Sequence, residues 1–303
     1  MKKRDEAIGL IGIGLVGTAL AEQLLAHGYS VIGYDIVPAQ CDLLRRLEGR
    51  VAASPRDVAE AVDCLLLSLP DTTVVRQVIE GTDGLLQAAR LPSYLIDTTT
   101  GDPTETAALA AQLRRRDSFL LEATMSGSSG QLRRGEAVLM VGGERNAFGA
   151  CRGLLEVLSE RTFYVGPSGS GSRMKLATNL VLGLNRLVLA EGLVFAEKLG
   201  LEPTTFLDVL RAGPAYSAAV DVKGDKMLNA DFTPESRVRQ HRKDVSLILK
   251  YARDCGQELP LSRVHCDILE SAIAAGDGEL DTCAVIKEIR RRQQEAAVGP
   301  PED

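Results

Sequence analysis

The stretch Gly12-Ile13-Gly14-Leu15-Val16-Gly17 decides the fold. It is G-x-G-x-x-G, a spacing that says little by itself. Its surroundings give it meaning: Ala7–Gly12 reads as a strand, Thr18–His27 as a helix and Val31–Asp35 as a second strand. Strand, glycine turn, helix and strand together are the unit that binds a dinucleotide. Gly12 permits the tight turn, Gly14 lets a pyrophosphate approach the backbone, and Gly17 lets helix and strand pack closely. The backbone from Gly12 through Ile13, Gly14, Leu15 and Val16 to Gly17 lies at the positive end of the helix and is expected to hold the diphosphate.

Asp35 closes the second strand, 23 residues after Gly12. An acidic side chain there accepts from the adenosine ribose hydroxyls. A 2′-phosphate would face that carboxylate, and two charges about 4 Å apart at an effective dielectric near 20 repel by roughly 4 kcal/mol. Ile36, Val37 and Pro38 follow, with no Arg or Lys to receive a phosphate. The expected cofactor is therefore NAD in preference to NADP.

Outward from this unit, Cys64–Leu69, Tyr94–Asp97, Phe119–Glu122, Ala137–Val141 and Thr162–Val165 read as further strands. They are aliphatic and mostly without alternation, as strands buried on both faces are. Ala39–Leu47, Pro55–Ala61 and Thr104–Arg116 read as helices between them. This rhythm predicts parallel strands joined by right-handed crossovers. It ends at Gly166-Pro167-Ser168-Gly169-Ser170-Gly171, after which Ser172–Leu199 reads as one long helix whose apolar residues cover most of its circumference. Such a helix is expected to be buried on nearly all sides. Pro203–Arg211, Val220–Leu228, Arg237–Asp254, Val264–Ala274 and Asp281–Gln294 continue as helices, Ala296–Asp303 reads as a loose tail, and Arg211–Ala219 has no clear reading. The fold class is α/β: a Rossmann dinucleotide-binding domain over residues 1–166, then an all-helical domain over 167–303 with a long interdomain helix.

The chain has 303 residues, with 35 Lys and Arg against 41 Asp and Glu, for a net charge of −6. No long basic run exists, which argues against nucleic acid or an anionic membrane as a partner. Trp is absent and aromatics are 4%, too few for stacking platforms. The six cysteines form no C-x-x-C pair and read as reduced, buried thiols of a cytoplasmic protein, while three histidines without ligand spacing argue against zinc. Met1-Lys2-Lys3-Arg4 followed by an apolar run resembles a secretory leader. Asp5 and Glu6, the glycines, and the completed nucleotide-binding unit oppose that. No apolar run of 18 or more residues lacks glycine or charge, so no membrane span is expected.

Hydride chemistry needs a group that moves a proton. None of the histidines is near a glycine turn, and Lys175 is the better candidate. It follows the Gly169–Gly171 loop on the opening turns of the long helix, where the dipole and burial both oppose its charge and should depress its pKa. Asn179 lies one turn on, on the same face. Ser126-Gly127-Ser128, within Glu122–Gly130, supplies hydroxyls and backbone N–H groups suited to a substrate carboxylate. On local sequence alone, a solvated surface lysine and an ordinary serine-glycine turn remain open alternatives.

These motifs, in this order, resemble the β-hydroxyacid dehydrogenase family, which includes 3-hydroxyisobutyrate dehydrogenase and tartronate semialdehyde reductase. The likeness runs from Ile8 to about Ile289. Leu69-Pro70 resembles the family's turn beside the cofactor. Asp97-Thr98-Thr99-Thr100 resembles its D-x-S-T segment, which implies that Thr100 contacts the cofactor. Ser126-Gly127 resembles its substrate-binding Ser-Gly. Gly169-x-Gly171-x-x-x-Lys175-x-x-x-Asn179 resembles its catalytic segment, and Lys243-Asp244 its Lys-Asp pair, which implies that Lys243 lies near the nicotinamide. The chain departs from the family's D-A-P-V-S-G-G at Glu122, Thr124 and Ser128, carries Thr178 before Asn179, and has Gly101 after Thr100. It is also short for a 6-phosphogluconate dehydrogenase. The resemblance implies oxidation of a small 3-hydroxy carboxylic acid, with the long helix carrying Lys175 to the cofactor as general acid/base, in a homodimer or homotetramer built through the helical domain. The alternatives are an imine reductase of the same fold, against which Lys175 argues, and a non-catalytic NAD-binding protein.

Overall fold

Ile8 and Leu10 pack on one side of the first strand and Ile11 on the other, in two separate aliphatic clusters. Leu66 parts from Leu65 and Leu67, Ile96 from Leu95, and Leu121 from Leu120 in the same way. A sheet apolar on both faces needs helices on both, which is the doubly wound arrangement. The computed structural model describes residues 7–297. The residues of the leader-like Met1–Arg4 segment lie outside them.

Eight strands, β1 (Ala7–Ile11), β2 (Ser30–Tyr34), β3 (Arg50–Val51), β4 (Cys64–Leu67), β5 (Tyr94–Asp97), β6 (Phe119–Ser126), β7 (Val138–Gly142) and β8 (Arg161–Gly166), form one sheet. Their order is β3-β2-β1-β4-β5-β6-β7-β8. The helices α1 (Leu15–Ala26), α2 (Pro38–Arg46), α3 (Pro55–Ala61), α4 (Thr72–Glu80), α5 (Pro103–Arg114), α6 (Ser129–Arg133) and α7 (Arg145–Leu158) fall between the strands. The all-parallel expectation fails at one place: β6 and β7 pair antiparallel. Only the short α6 and its flanking turns separate them, and a parallel return needs a crossover of about a dozen residues or more.

α8 (Ser170–Lys198) follows, then α9 (Pro203–Ala212), α10 (Ala218–Leu228), α11 (Val238–Asp254), α12 (Pro260–Ala272) and α13 (Val285–Ala297). The chain packs as two compact units that meet between Lys175 and Leu176, inside α8. Leu187, Ala190, Leu193 and Val194 of α8 form the second unit's core with Leu207, Val220, Met227, Val245 and Leu269. The uncertain Arg211–Ala219 segment closes the turn from α9 to α10, where Arg211 pairs with Asp208, Asp221 and Asp225. α13 runs through Ala297, so the tail expected from Ala296 does not begin there, and 298–303 lie outside the described residues.

Two further expectations are corrected. α8 is not buried all round: Val181, Val188 and Phe195 are 56%, 65% and 60% exposed. They stand seven residues apart, so they share one stripe. By length and composition alone this helix could cross a membrane, with mean hydropathy 1.4 and half of that window buried in the fold. The cysteines are all free, but Cys255 is exposed and the other five buried.

Candidate active site

Gly12 stands at φ +89°, which glycine adopts freely. A Cβ on Gly12 would collide with the Ser68 carbonyl oxygen, and one on Gly17 with the Gly12 carbonyl oxygen. These two glycines are therefore spent inside the fold. Gly14 differs, because a Cβ there would meet nothing within 4 Å. Gly14 is also the N-cap of α1, with no side-chain cap and no acidic residue in the first turn. The helix thus presents uncapped N–H groups beside an open bare-backbone surface, the donor set a diphosphate requires. The residues present fit a dinucleotide.

Asp35 binds the same loop from the end of β2. Its Oδ2 accepts from Ile13 N–H at 2.7 Å and its Oδ1 from Val37 N–H at 2.8 Å. Ile36 beside it is 83% exposed. Leu69 and Pro70 follow β4, where Ser68 N–H donates to Ile11 carbonyl at 2.9 Å and Leu69 N–H to Thr99 Oγ1 at 3.1 Å. Thr99 N–H in turn donates to Asp97 Oδ1 at 2.9 Å, at the end of β5 and one residue before Thr100. The structure thus brings residues 12–17, Asp35, Leu69-Pro70 and the Thr100 segment together at the carboxyl ends of neighbouring parallel strands, where such sheets bind ligands.

The serine-glycine segment is shorter than its sequence suggests. β6 continues through Ser126, so Glu122–Ser126 is strand rather than turn. Gly127 follows at φ +143°, and Ser128 caps the short α6. Ser128 Oγ accepts from Gln131 N–H at 3.2 Å while Ser128 N–H donates to Gln131 Oε1 at 2.9 Å. The Ser128 amide is therefore already used, and the Ser128 hydroxyl hydrogen remains to donate.

Lys175 ends the first unit and is only 8% exposed. A lysine that deep is not the solvated surface residue that local sequence also allowed. In the second unit Asn179 is buried, and its Nδ2 donates to Asp244 Oδ2 of α11 at 3.0 Å. Lys243 Nζ lies 3.0 Å from Asp244 Oδ1, so Asp244 joins Asn179 to Lys243.

Two residues that sequence reading did not place in the site are Glu122 and Thr124 on β6. Glu122 is buried and accepts from Gly169 N–H, Gly171 N–H and Ser172 hydroxyl, at the start of the helix that carries Lys175. Burial raises its carboxyl above the ordinary range, against the lowering effect of those bonds. The available signal was an acidic residue inside an otherwise uncharged strand.

A dinucleotide cradle on a doubly wound sheet, followed by an all-helical unit, defines an NAD(P)-dependent oxidoreductase of the two-domain kind. Residues 7–166 match the NAD-binding domain of 6-phosphogluconate dehydrogenase, and residues 169–289 match the NAD-binding domain of NADP-dependent 3-hydroxyisobutyrate dehydrogenase. The 2-hydroxy-3-oxopropionate reductase of Escherichia coli is 30% identical over 77% of this chain and 80% of its own. A crystal structure of 3-hydroxyisobutyrate dehydrogenase from Salmonella typhimurium superposes with TM-score 0.85 at 28% identity, covering 93% of this chain and 99% of that one. The cytokine-like nuclear factor N-PAC of Aedes aegypti is 28% identical over 86% of this chain, which spans 47% of that longer protein. The chain belongs to the β-hydroxyacid dehydrogenase family, whose enzymes oxidise CH–OH groups of hydroxy acids with NAD(P).

Proposed function

We propose that the chain interconverts a small 3-hydroxy acid and its semialdehyde or keto acid, with NAD preferred over NADP and Lys175 as general acid/base. The observation that carries this reading is the buried Lys175, the last residue of the unit that bears the glycine cradle. In oxidation Lys175 Nζ takes the substrate hydroxyl proton, and in reduction it returns it. Asn179, one helical turn on, orients that amine or the substrate oxygen. Ser126, the Gly127 backbone N–H and the Ser128 hydroxyl receive the carboxylate. Bound nicotinamide supplies the acceptor for the hydride that leaves carbon. The substrates named for the Escherichia coli and Salmonella relatives both carry a carboxylate and an oxygen on carbon 3, which supports the 3-hydroxy acid class. Asp35, with no cation in Ile36–Pro38, supports NAD.

The experiment is NAD reduction with 3-hydroxyisobutyrate, glycerate, 3-hydroxypropionate and short sugar acids in turn. Turnover of at least one is expected. NADH binding without turnover on any of them would replace this reading with that of a binding protein, the direction in which the N-PAC relative, named as a nuclear factor, points.

The same reading includes a homodimer or homotetramer. The Val181, Val188 and Phe195 stripe supports it, because a seven-residue apolar repeat is the pattern by which helices pair. Light scattering after size-exclusion chromatography should give a multiple of the chain mass, and Val188→Asp should lower it. A monomeric wild type would refute the assembly.

A further inference from the structure

One strand holds Gly171 from both sides. Glu122 and Thr124 stand two apart on β6 and so face the same side of the sheet. Glu122 Oε2 accepts from Gly171 N–H at 3.1 Å and from Gly169 N–H at 2.8 Å, and its Oε1 accepts from the Ser172 hydroxyl at 2.8 Å. The Thr124 hydroxyl donates to Gly171 carbonyl at 3.0 Å, with Met140 carbonyl a second acceptor at 3.3 Å. Gly142 of β7, paired with Glu122, completes the seat: a Cβ there would stand 2.5 Å from Gly171 N and 2.6 Å from Glu122 Oε2. A Cβ on Gly171 would in turn stand 2.8 Å from Glu122 Cβ. Neither Gly142 nor Gly171 has room for a side chain, so the two backbones lie close together beside the Glu122 carboxylate.

The arrangement does more than cap a helix. One serine or aspartate satisfies a single orphan amide at a helix start. Here a buried carboxylate, whose three hydrogen-bond donors are neutral, takes two amides and a hydroxyl, and a second side chain takes the carbonyl of the same glycine. A buried carboxylate held by neutral donors carries a desolvation cost. The positive end of the 29-residue α8 offsets part of it. Lys175 is three residues beyond Ser172, in unbroken helix, so any movement of the first turn is transmitted to it.

We propose that Glu122 and Thr124 are positioning residues that clamp Gly171 and so fix where α8 presents Lys175. The inference rests on Lys175 being the acid–base group. Displacement of a reacting group by about 1 Å costs on the order of 10²-fold in rate. The clamp therefore acts on turnover rather than on cofactor affinity.

The test compares Thr124→Val, Thr124→Ser and Glu122→Gln in the full chain. Hydrogen exchange of the 169–175 amides and NADH affinity are measured for each, with steady-state kinetics on 3-hydroxyisobutyrate and NAD. Thr124→Val and Glu122→Gln should speed exchange across 169–175 by about 10-fold, the effect of losing one buried hydrogen bond. They should lower kcat by about 10- to 100-fold while KM and the NADH Kd stay within about twofold. Thr124→Ser keeps the hydroxyl and should recover most of both. Unchanged exchange in Thr124→Val and Glu122→Gln overturns the clamp. So does a loss that spreads equally to KM and NADH affinity, or that Thr124→Ser fails to recover, since a merely structural role would produce either. The exchange measurement needs no substrate, and Thr124→Ser and Glu122→Gln serve if Thr124→Val does not fold. Lys175→Ala separates the two readings: if it keeps turnover, the acid–base assignment fails, whatever the exchange shows about Gly171.

Discussion

Asn179 Nδ2 donates to Asp244 Oδ2 at 3.0 Å, and both side chains are buried. The bond decides which way the amide points: its NH₂ group faces α11. Hydrogen bonds to a charged partner contribute about 1.5–3 kcal/mol, more than neutral ones. A cycle of Asn179→Ala, Asp244→Ala and the double variant should therefore show a coupling of about 1.5–3 kcal/mol in urea unfolding. A coupling near zero would mean the contact does not hold Asn179 in place.

Lys175→Ala removes the proposed proton carrier and leaves the glycine cradle untouched. Loss of a positioned acid–base group costs about 10²- to 10⁴-fold in rate. Turnover should fall by that factor while NADH, followed by its fluorescence, binds as before. Near-normal turnover would end the assignment of Lys175.

Asp35 holds the Gly-rich loop through Ile13 N–H and Val37 N–H, and in the proposed binding mode its carboxylate faces the adenosine ribose. The wild type should show a higher kcat/KM with NAD than with NADP. Asp35→Ser should shrink that ratio, because the repulsion of roughly 4 kcal/mol for charges about 4 Å apart is removed. A wild-type preference for NADP would refute the charge argument.

The sheet was legible because β1, β4 and β5 are short and carry adjacent aliphatic residues (Leu10-Ile11, Leu65-Leu66-Leu67, Leu95-Ile96) without alternation, and because Gly12, Gly14 and Gly17 follow one of them. Direction was less so: apolar pattern carries no strand polarity, and only the brief link around α6 betrays the reversal at β7. α4 opens with Thr72-Thr73-Val74-Val75, β-branched residues that suit a strand, and becomes helix behind the Asp71 cap. α8 was legible in length but not in orientation, since exposed Val188 and buried Val194 are the same residue type. The grip of Glu122 on Gly169 spans 47 residues, and no local pattern reports so distant a partner.

His265 sits in the helical unit with its ring centroid 5.1 Å from that of His241. Burial first, and the Arg186 charge second, hold its pKa down to about 4, against an ordinary 6.5. The unfolded chain therefore binds a proton that the folded chain refuses. Stability from this group is complete above pH 6.5 and is lost as pH falls toward 4. The loss amounts to about 3.5 kcal/mol at about 1.4 kcal/mol per pH unit. Asp281 acts lower: burial alone would raise it, yet Lys223 and backbone N–H groups hold it at about 2, so its share is lost only in stronger acid. Urea unfolding across that pH window should show the slope in the wild type and a shallower one in His265→Gln. Equal slopes would remove His265 as the cause.

Gly14 and Gly17 separate folding from binding within one motif. A methyl on Gly17 has nowhere to go but into the Gly12 carbonyl oxygen, so Gly17→Ala must shift α1 away from β1. Overpacking of that kind costs about 1–3 kcal/mol. A methyl on Gly14 meets no protein atom within 4 Å, so Gly14→Ala should lose little stability. It would instead fill the surface proposed to seat the diphosphate. Thermal unfolding should accordingly fall for Gly17→Ala and barely move for Gly14→Ala. NADH affinity should weaken in Gly14→Ala by about 10-fold or more, equivalent to about 1.4 kcal/mol. If Gly14→Ala binds NADH as tightly as the wild type, the open surface beside α1 is not the diphosphate site, and the uncapped N–H groups need another explanation.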